Sequence, residues 1–163
     1  MRKSIAFTAV LAVLGALTTD VGAQSKLDLS GTWRLNFDRS GPEVAGNGAD
    51  VPFASEMVVV QSATDLSVKR SSVRQDPFAA VYKLDGSQVN VDAPNGIRET
   101  GKARFDGATL VIESRRSFSS PAGDTVVDFT EVWSLDGDVL TVKKTMTQEG
   151  DSQSATAVYD KTA

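Results

Sequence analysis

Histidine and cysteine are both missing from these 163 residues. Without histidine the chain lacks the commonest general base at neutral pH and the commonest transition-metal ligand. A Ser-His-Asp triad, cysteine-based catalysis and the usual zinc sites are therefore excluded, and no disulfide contributes to stability. Helical periodicity is almost absent beyond the first two dozen residues. Basic charge is scarce too: 17 Lys and Arg stand against 21 Asp and Glu, a net charge of −4. Nucleic acid and anionic membrane surfaces attract basic patches, so neither is an expected partner.

What is present begins with an export pattern. Arg2 and Lys3 precede the apolar run Ile5–Leu17, and Val21-Gly22-Ala23 supplies small residues at the positions a signal peptidase needs. The run is too short to span a hydrocarbon core of ~30 Å as a stable helix. The expectation is a signal peptide over 1–23, cleavage near Ala23, and a secreted or periplasmic domain over 24–163 with no membrane span. No cysteine follows the cleavage site to carry a lipid anchor.

The rest of the chain alternates apolar and polar residues in short runs bounded by turn residues. Ten strands are expected, near Gly31–Phe37, Glu56–Ser62, Asp65–Ser71, Phe78–Leu84, Gln88–Asp92, Glu99–Phe105, Thr109–Ser117, Thr125–Leu135, Val139–Thr147 and Ala155–Lys161. All five prolines fall between these runs, where a missing N–H does no harm to a ladder. Asp85-Gly86, Asp106-Gly107 and Asp136-Gly137 each sit between apolar runs, the signature of a type I′ hairpin. Successive hairpins imply a meander, and closing it removes the exposed edges. The fold class expected is all-β, an antiparallel up-and-down β-barrel of about eight to ten strands, with a sandwich as the alternative.

Three ordered motifs carry a resemblance. Gly31-Thr32-Trp33-Arg34-Leu35-Asn36 opens the first strand, Glu131-Val132-Trp133-Ser134-Leu135 lies in the eighth, and Val158-Tyr159-Asp160-Lys161 closes the chain. Together they resemble the small lipocalin-like proteins secreted by many bacteria, within the wider calycin group. The resemblance implies a barrel whose lumen takes a small hydrophobic or amphipathic molecule. It further implies that Trp33 closes the barrel base, that Gly31 leaves room for a neighbouring chain, and that Lys161 stacks on Trp33.

Alternation also places polar residues on apolar faces. Glu131 shares a face with Val127, Phe129, Trp133 and Leu135; Arg116 with Leu110 and Ile112; Lys144 with Val142 and Met146; Arg70 with Leu66 and Val68. Tyr82 lies with Phe78, Ala80 and Leu84, and Tyr159 with Ala155 and Ala157. Inward-facing, these six (Arg70, Tyr82, Arg116, Glu131, Lys144 and Tyr159) form the candidate ligand site, since a buried carboxylate needs a partner. One cation would pair with Glu131 while another stays free for a ligand carboxylate, as lumenal Arg and Tyr do in some calycin relatives. The bland alternative makes Glu131 a structural ion pair and lets Arg70 and Arg116 reach water at the mouth.

The connection Asp38–Ser55 is long and rich in Gly, Pro and Ala. Val44, Val51 and Phe53 would fold over a mouth if it is a lid; an insertion without a role is the other reading. Asp136-Gly137-Asp138 lacks the remaining positions of a calcium loop, so no metal is expected. No cofactor motif and no catalytic residues are evident, although Glu131 on an apolar face would support acid/base chemistry if its pKa were raised. Two further classes remain beside the carrier: an envelope structural or protein-interaction module with a filled barrel, and a carboxylate-based enzyme.

Overall fold

The computed structural model describes residues 27–45, 51–72, 75–93, 97–121 and 123–162. The signal peptide expected over 1–23 lies outside them, as do Pro94 and residues 46–50 of the long connection. No helix among the described residues is long and apolar enough to cross a membrane.

Ten strands appear where alternation places them: β1 Gly31–Leu35, β2 Glu56–Gln61, β3 Asp65–Ser72, β4 Gln75–Lys83, β5 Val89–Asp92, β6 Arg98–Asp106, β7 Thr109–Ser120, β8 Gly123–Asp136, β9 Val139–Gln148 and β10 Asp151–Thr162. Among the described residues one four-residue helix, α1 Pro42–Ala45, interrupts them. All ten strands belong to a single antiparallel sheet in the order β4-β3-β2-β1-β10-β9-β8-β7-β6-β5. Chain neighbours pair except across one seam, and β1 pairs with β10, so the sheet curls into a nearly closed up-and-down barrel. A sandwich would need two sheets.

The seam falls between β4 and β5, and here the hairpin reading needs correction. Asp85-Gly86 does not join paired strands. Asp85 instead bridges Arg104 of β6, and the Gly86 N–H donates to the Ala103 carbonyl at 3.0 Å. Inside the seam the Tyr82 ring lies against Gly101, where an added Cβ would stand 2.6 Å from Tyr82 Cε1. Only the missing side chain lets β4 approach β6 so closely.

The other two Asp-Gly pairs do make hairpins, but of a different type. Asp106 pairs with Thr109 and Asp136 with Val139, so the central residues are Gly107-Ala108 and Gly137-Asp138. Gly107 and Gly137 have φ of 57° and 59°, whereas Ala108 and Asp138 stay negative. Glycine alone at the first central position defines type II′, not I′. The turn with two positive φ values is Glu149-Gly150, at 53° and 93°, between β9 and β10.

Pro77 also departs from expectation, because it lies within β4. Register passes from Arg70↔Phe78 to Ser72↔Gln75, so that Ser71 alone of β3 stands against Asp76 and Pro77 of β4. The bulge leaves a residue without a ladder partner, a place where proline's missing N–H costs nothing.

The two ends of the barrel differ. At the base Trp33 is fully buried, its Nε1–H donates to the Leu29 carbonyl at 2.9 Å, and Gln61 ties down the backbone of Leu27 and Leu29. Lys161 Nζ lies 5.4 Å from the Trp33 ring centroid, and its stem fills the space beside Gly31, where a Cβ would meet Lys161 Cε at 2.6 Å. These are the roles that the resemblance assigns to Trp33, Gly31 and Lys161. At the other end α1 packs on β10, and Val44 and Val51 are buried in the core with Phe53 packed against it. The described parts of Asp38–Ser55 thus lie over the mouth.

Candidate functional site

Strand alternation sends β8 inward at Val127, Phe129, Glu131 and Trp133, and register fixes what each side chain meets. Glu131 lies opposite Lys144 of β9, and Glu99 of β6 lies opposite Arg116 of β7. Arg70 arrives from β3, on the far side of the barrel. Its Nη2 stands 3.1 Å from Glu131 Oε2, and Lys144 Nζ stands 3.1 Å from Oε1. Trp133 Nε1–H donates to the same carboxylate at 2.9 Å, and the Tyr82 phenol lies close enough to Arg70 to interact with it electrostatically. Arg116 Nε donates to Glu99 Oε2 at 2.6 Å. Arg116 is the most open of the five charged groups, with 21% of its side chain exposed.

The lid residues close this layer from above. Lys144 donates to the Pro52 carbonyl at 3.0 Å, and the Tyr159 hydroxyl donates to the Ala54 carbonyl at 2.9 Å. Aromatic rings alternate with the cations. Arg116 lies between Phe78 and Phe129, at 5.8 and 5.1 Å from their centroids, and Lys144 between Phe129 and Phe53, at 5.1 and 5.7 Å. Arg70 lies 6.0 Å from the Trp133 ring. Such contacts offset part of the cost of taking a cation out of water.

The electrostatics reverse one expectation. Burial by itself pushes the Glu131 carboxyl up, but Arg70, Lys144 and the Trp133 N–H outweigh it and hold the group well below the usual carboxylate range. Glu131 is therefore an ionised anchor at neutral pH, not a proton donor. Burial lowers Lys144 in spite of Glu131, and Arg70 and Arg116 add to the lowering. Burial raises both Tyr82 and Tyr159, so both phenols stay protonated and able to donate.

The structure draws Arg70, Tyr82, Glu131 and Lys144 into one connected cluster. Arg116 stands beside it through Phe129, and Tyr159 joins through the lid. Two details differ from the sequence reading. No inward cation among the described residues is left free of a carboxylate: Arg70 and Lys144 share Glu131, and Arg116 takes Glu99. Arg70 keeps only 12% of its side chain exposed and spends its guanidinium on Glu131. Glu99 itself was missed, although it shares the inner face of β6 with Ala103 and Phe105. The Trp133 contact was legible in the Glu-x-Trp spacing, which puts both side chains on one face. The two lid carbonyls left no signal, since every residue has one.

No family model matches the chain, and no curated protein sequence matches it. Solved structures do resemble it, at low identity. A secretary abundant heat soluble (SAHS) protein from Ramazzottius varieornatus is 15% identical, with a TM-score of 0.58 over 82% of this chain and 95% of that one. Zebrafish ileal bile acid-binding protein, complexed with cholic acid, is 14% identical, with a TM-score of 0.55 over 82% and 98%. The fluorescent protein UnaG is 15% identical, with a TM-score of 0.52 over 82% and 97%. Each chain is matched along nearly its whole length, and the shared feature is the barrel. This chain has a calycin-like fold, an all-β antiparallel barrel closed except at one seam.

Proposed function

We propose that the protein is a secreted or periplasmic carrier that holds a small hydrophobic or amphipathic molecule in the barrel lumen, without transforming it. The observation that carries this reading is the charged layer. Five charged side chains from five strands converge inside the barrel, toward the end that the described parts of Asp38–Ser55 cover. A barrel with only a structural task gains little from such a layer, because replacing buried ion pairs by packed apolar residues is often neutral or stabilising. Aromatic and apolar walls with a few convergent polar groups suit a ligand site. The similar bile acid-binding protein, seen with cholic acid, supports the same use of the fold. The strongly ionised Glu131 speaks against acid/base chemistry at this site.

A filled-barrel interaction module at the envelope is the second reading. The outer faces of β2 and β4 favour it, where Val58, Val60 and Val81 are exposed, Val60 and Val81 both lying beside Ser67. Native mass spectrometry of protein purified from its own source separates the two. A bound small molecule supports the carrier, and repeatedly empty spectra with a co-purifying partner support the module.

A further inference from the structure

Of the three basic side chains in the charged layer, one differs in kind from the others. Arg70 and Arg116 carry guanidinium groups, which stay charged in proteins and whose fork matches a carboxylate. Lys144 carries a primary amine, a weaker partner for Glu131 but a nucleophile once it gives up a proton. It is the one buried lysine among the described residues, whereas Lys143, the residue before it, points outward and is exposed. Phe129 and Phe53 flank its Nζ at 5.1 and 5.7 Å, and the Pro52 carbonyl of the lid lies 3.0 Å away. Glu131 Oε1 stands 3.1 Å off, a fixed anion beside the nitrogen. Burial and the two neighbouring guanidinium groups favour the free amine, against the pull of Glu131.

We propose that Lys144 holds an apolar aldehyde covalently, as a reversible iminium whose counter-ion is Glu131. This rests on the lumenal-carrier reading and adds the ligand class to it, a hydrocarbon chain ending in an aldehyde. The ammonium first loses one proton, and the freed Nζ lone pair attacks the carbonyl carbon while the C=O π pair moves to oxygen. That oxygen takes a proton from nitrogen, giving a carbinolamine. Its hydroxyl leaves as water with the proton first lost, and the nitrogen keeps a single N–H in the C=N⁺ group. Ammonium and aldehyde thus give iminium and water with no net change of charge, so the counter-ion that the fold already supplies serves the adduct. An ammonium has protons for both Glu131 and the Pro52 carbonyl, but the one N–H of an iminium goes to Glu131. The Pro52 contact is therefore the one given up, and the hydrocarbon chain lies between Phe53 and Phe129. Their rings keep water from the C=N bond, and its return releases the aldehyde unchanged.

Octanal with sodium cyanoborohydride tests this, and octanol serves as a probe of the same tail that cannot form the bond. Reduction turns the iminium into a stable secondary amine, which tandem mass spectrometry of the peptides locates. At about pH 7.5, early in the reaction, Lys144 is expected to carry roughly tenfold or more of the label found on exposed Lys143, since each unit of lowered pKa gives about tenfold more free amine. The label should require the reductant, and Lys143→Arg should leave it in place. The wild-type map decides the matter without any variant of Lys144. Label spread evenly over the exposed lysines, or reaching Lys143 first, overturns the covalent site. If octanol then still binds by isothermal titration calorimetry, the carrier stands without the iminium. If octanol fails to bind as well, the carrier falls with it.

Discussion

Arg70 of β3 and Glu131 of β8 meet across the barrel at 3.1 Å, although neither strand neighbours the other in the sheet. The pair ties opposite walls together and makes the cluster sensitive to the loss of either partner. Glu131→Gln keeps an acceptor for the Trp133 N–H but leaves Arg70 and Lys144 as close cations without a counter-charge. Removing one partner of a buried pair typically costs about 3–5 kcal/mol. Urea denaturation is expected to show a loss on that scale. Lys144→Met should cost less, because burial already disfavours its ammonium.

The same carboxylate sets an acid limit. Its pKa lies below the ordinary glutamate value of 4.5 only in the folded state, so the unfolded chain binds the proton more readily. The stability from Glu131 is thus complete above its unfolded value and is lost as pH falls below about 4.5 toward the lower folded value. Urea melts of the wild type from pH 7 downward should lose stability through this window more steeply than melts of Glu131→Gln. Parallel curves would show that the carboxylate has no part in the acid limit.

Glu149 holds a φ of 53°, in the left-handed region, with Gly150 beside it. A side chain there costs roughly 1–2 kcal/mol relative to the right-handed region, less for asparagine, which turns of this type prefer. Glu149→Asn should raise stability by several tenths to about 1 kcal/mol, read as a higher urea midpoint with unchanged slope.

Gly101→Ala tests the seam. Its Cβ would lie 2.6 Å from the Tyr82 ring, so the ring must move away from β6. Overpacking of this kind typically costs about 1–3 kcal/mol. Pairing the change with Tyr82→Ala should recover much of it, which a double-mutant cycle reads as a coupling. Additive losses would mean that the ring and the glycine are not in contact.

Gly31→Ala carries two penalties at the base, a φ of 144° that side chains rarely adopt and a collision with Lys161. The expected cost is about 1–3 kcal/mol for the backbone alone, with Lys161 displaced from the Trp33 ring and a shifted tryptophan fluorescence spectrum. An unshifted spectrum would place Lys161 elsewhere.

Much of this was readable before folding because alternation is a local property. A residue's face follows from its parity within the strand, so Glu131, Lys144, Arg116 and Arg70 announced themselves by sitting among apolar neighbours of the same parity. Glu99 has the same signature in a strand whose inner face is weak, since Gly101 interrupts it and Ala103 is small. Pro77 misled because a bulge is a property of two strands in register, not of one. The Asp-Gly turns misled for a related reason: the dipeptide marks a sharp turn, but which of its residues is central depends on where the ladder ends.

Composition and periodicity by themselves determined that the chain would be an antiparallel β-protein without histidine or cysteine chemistry, and which side chains share its inner face. Only tertiary structure decided the rest. It placed the seam between β4 and β5, brought Arg70 across to Glu131, divided three cations between two carboxylates, and laid the Pro52 and Ala54 carbonyls on Lys144 and Tyr159. These contacts join residues separated by 61 to 105 positions, or lie where two sheet ends meet. They depend on barrel closure and strand stagger, which no single segment encodes.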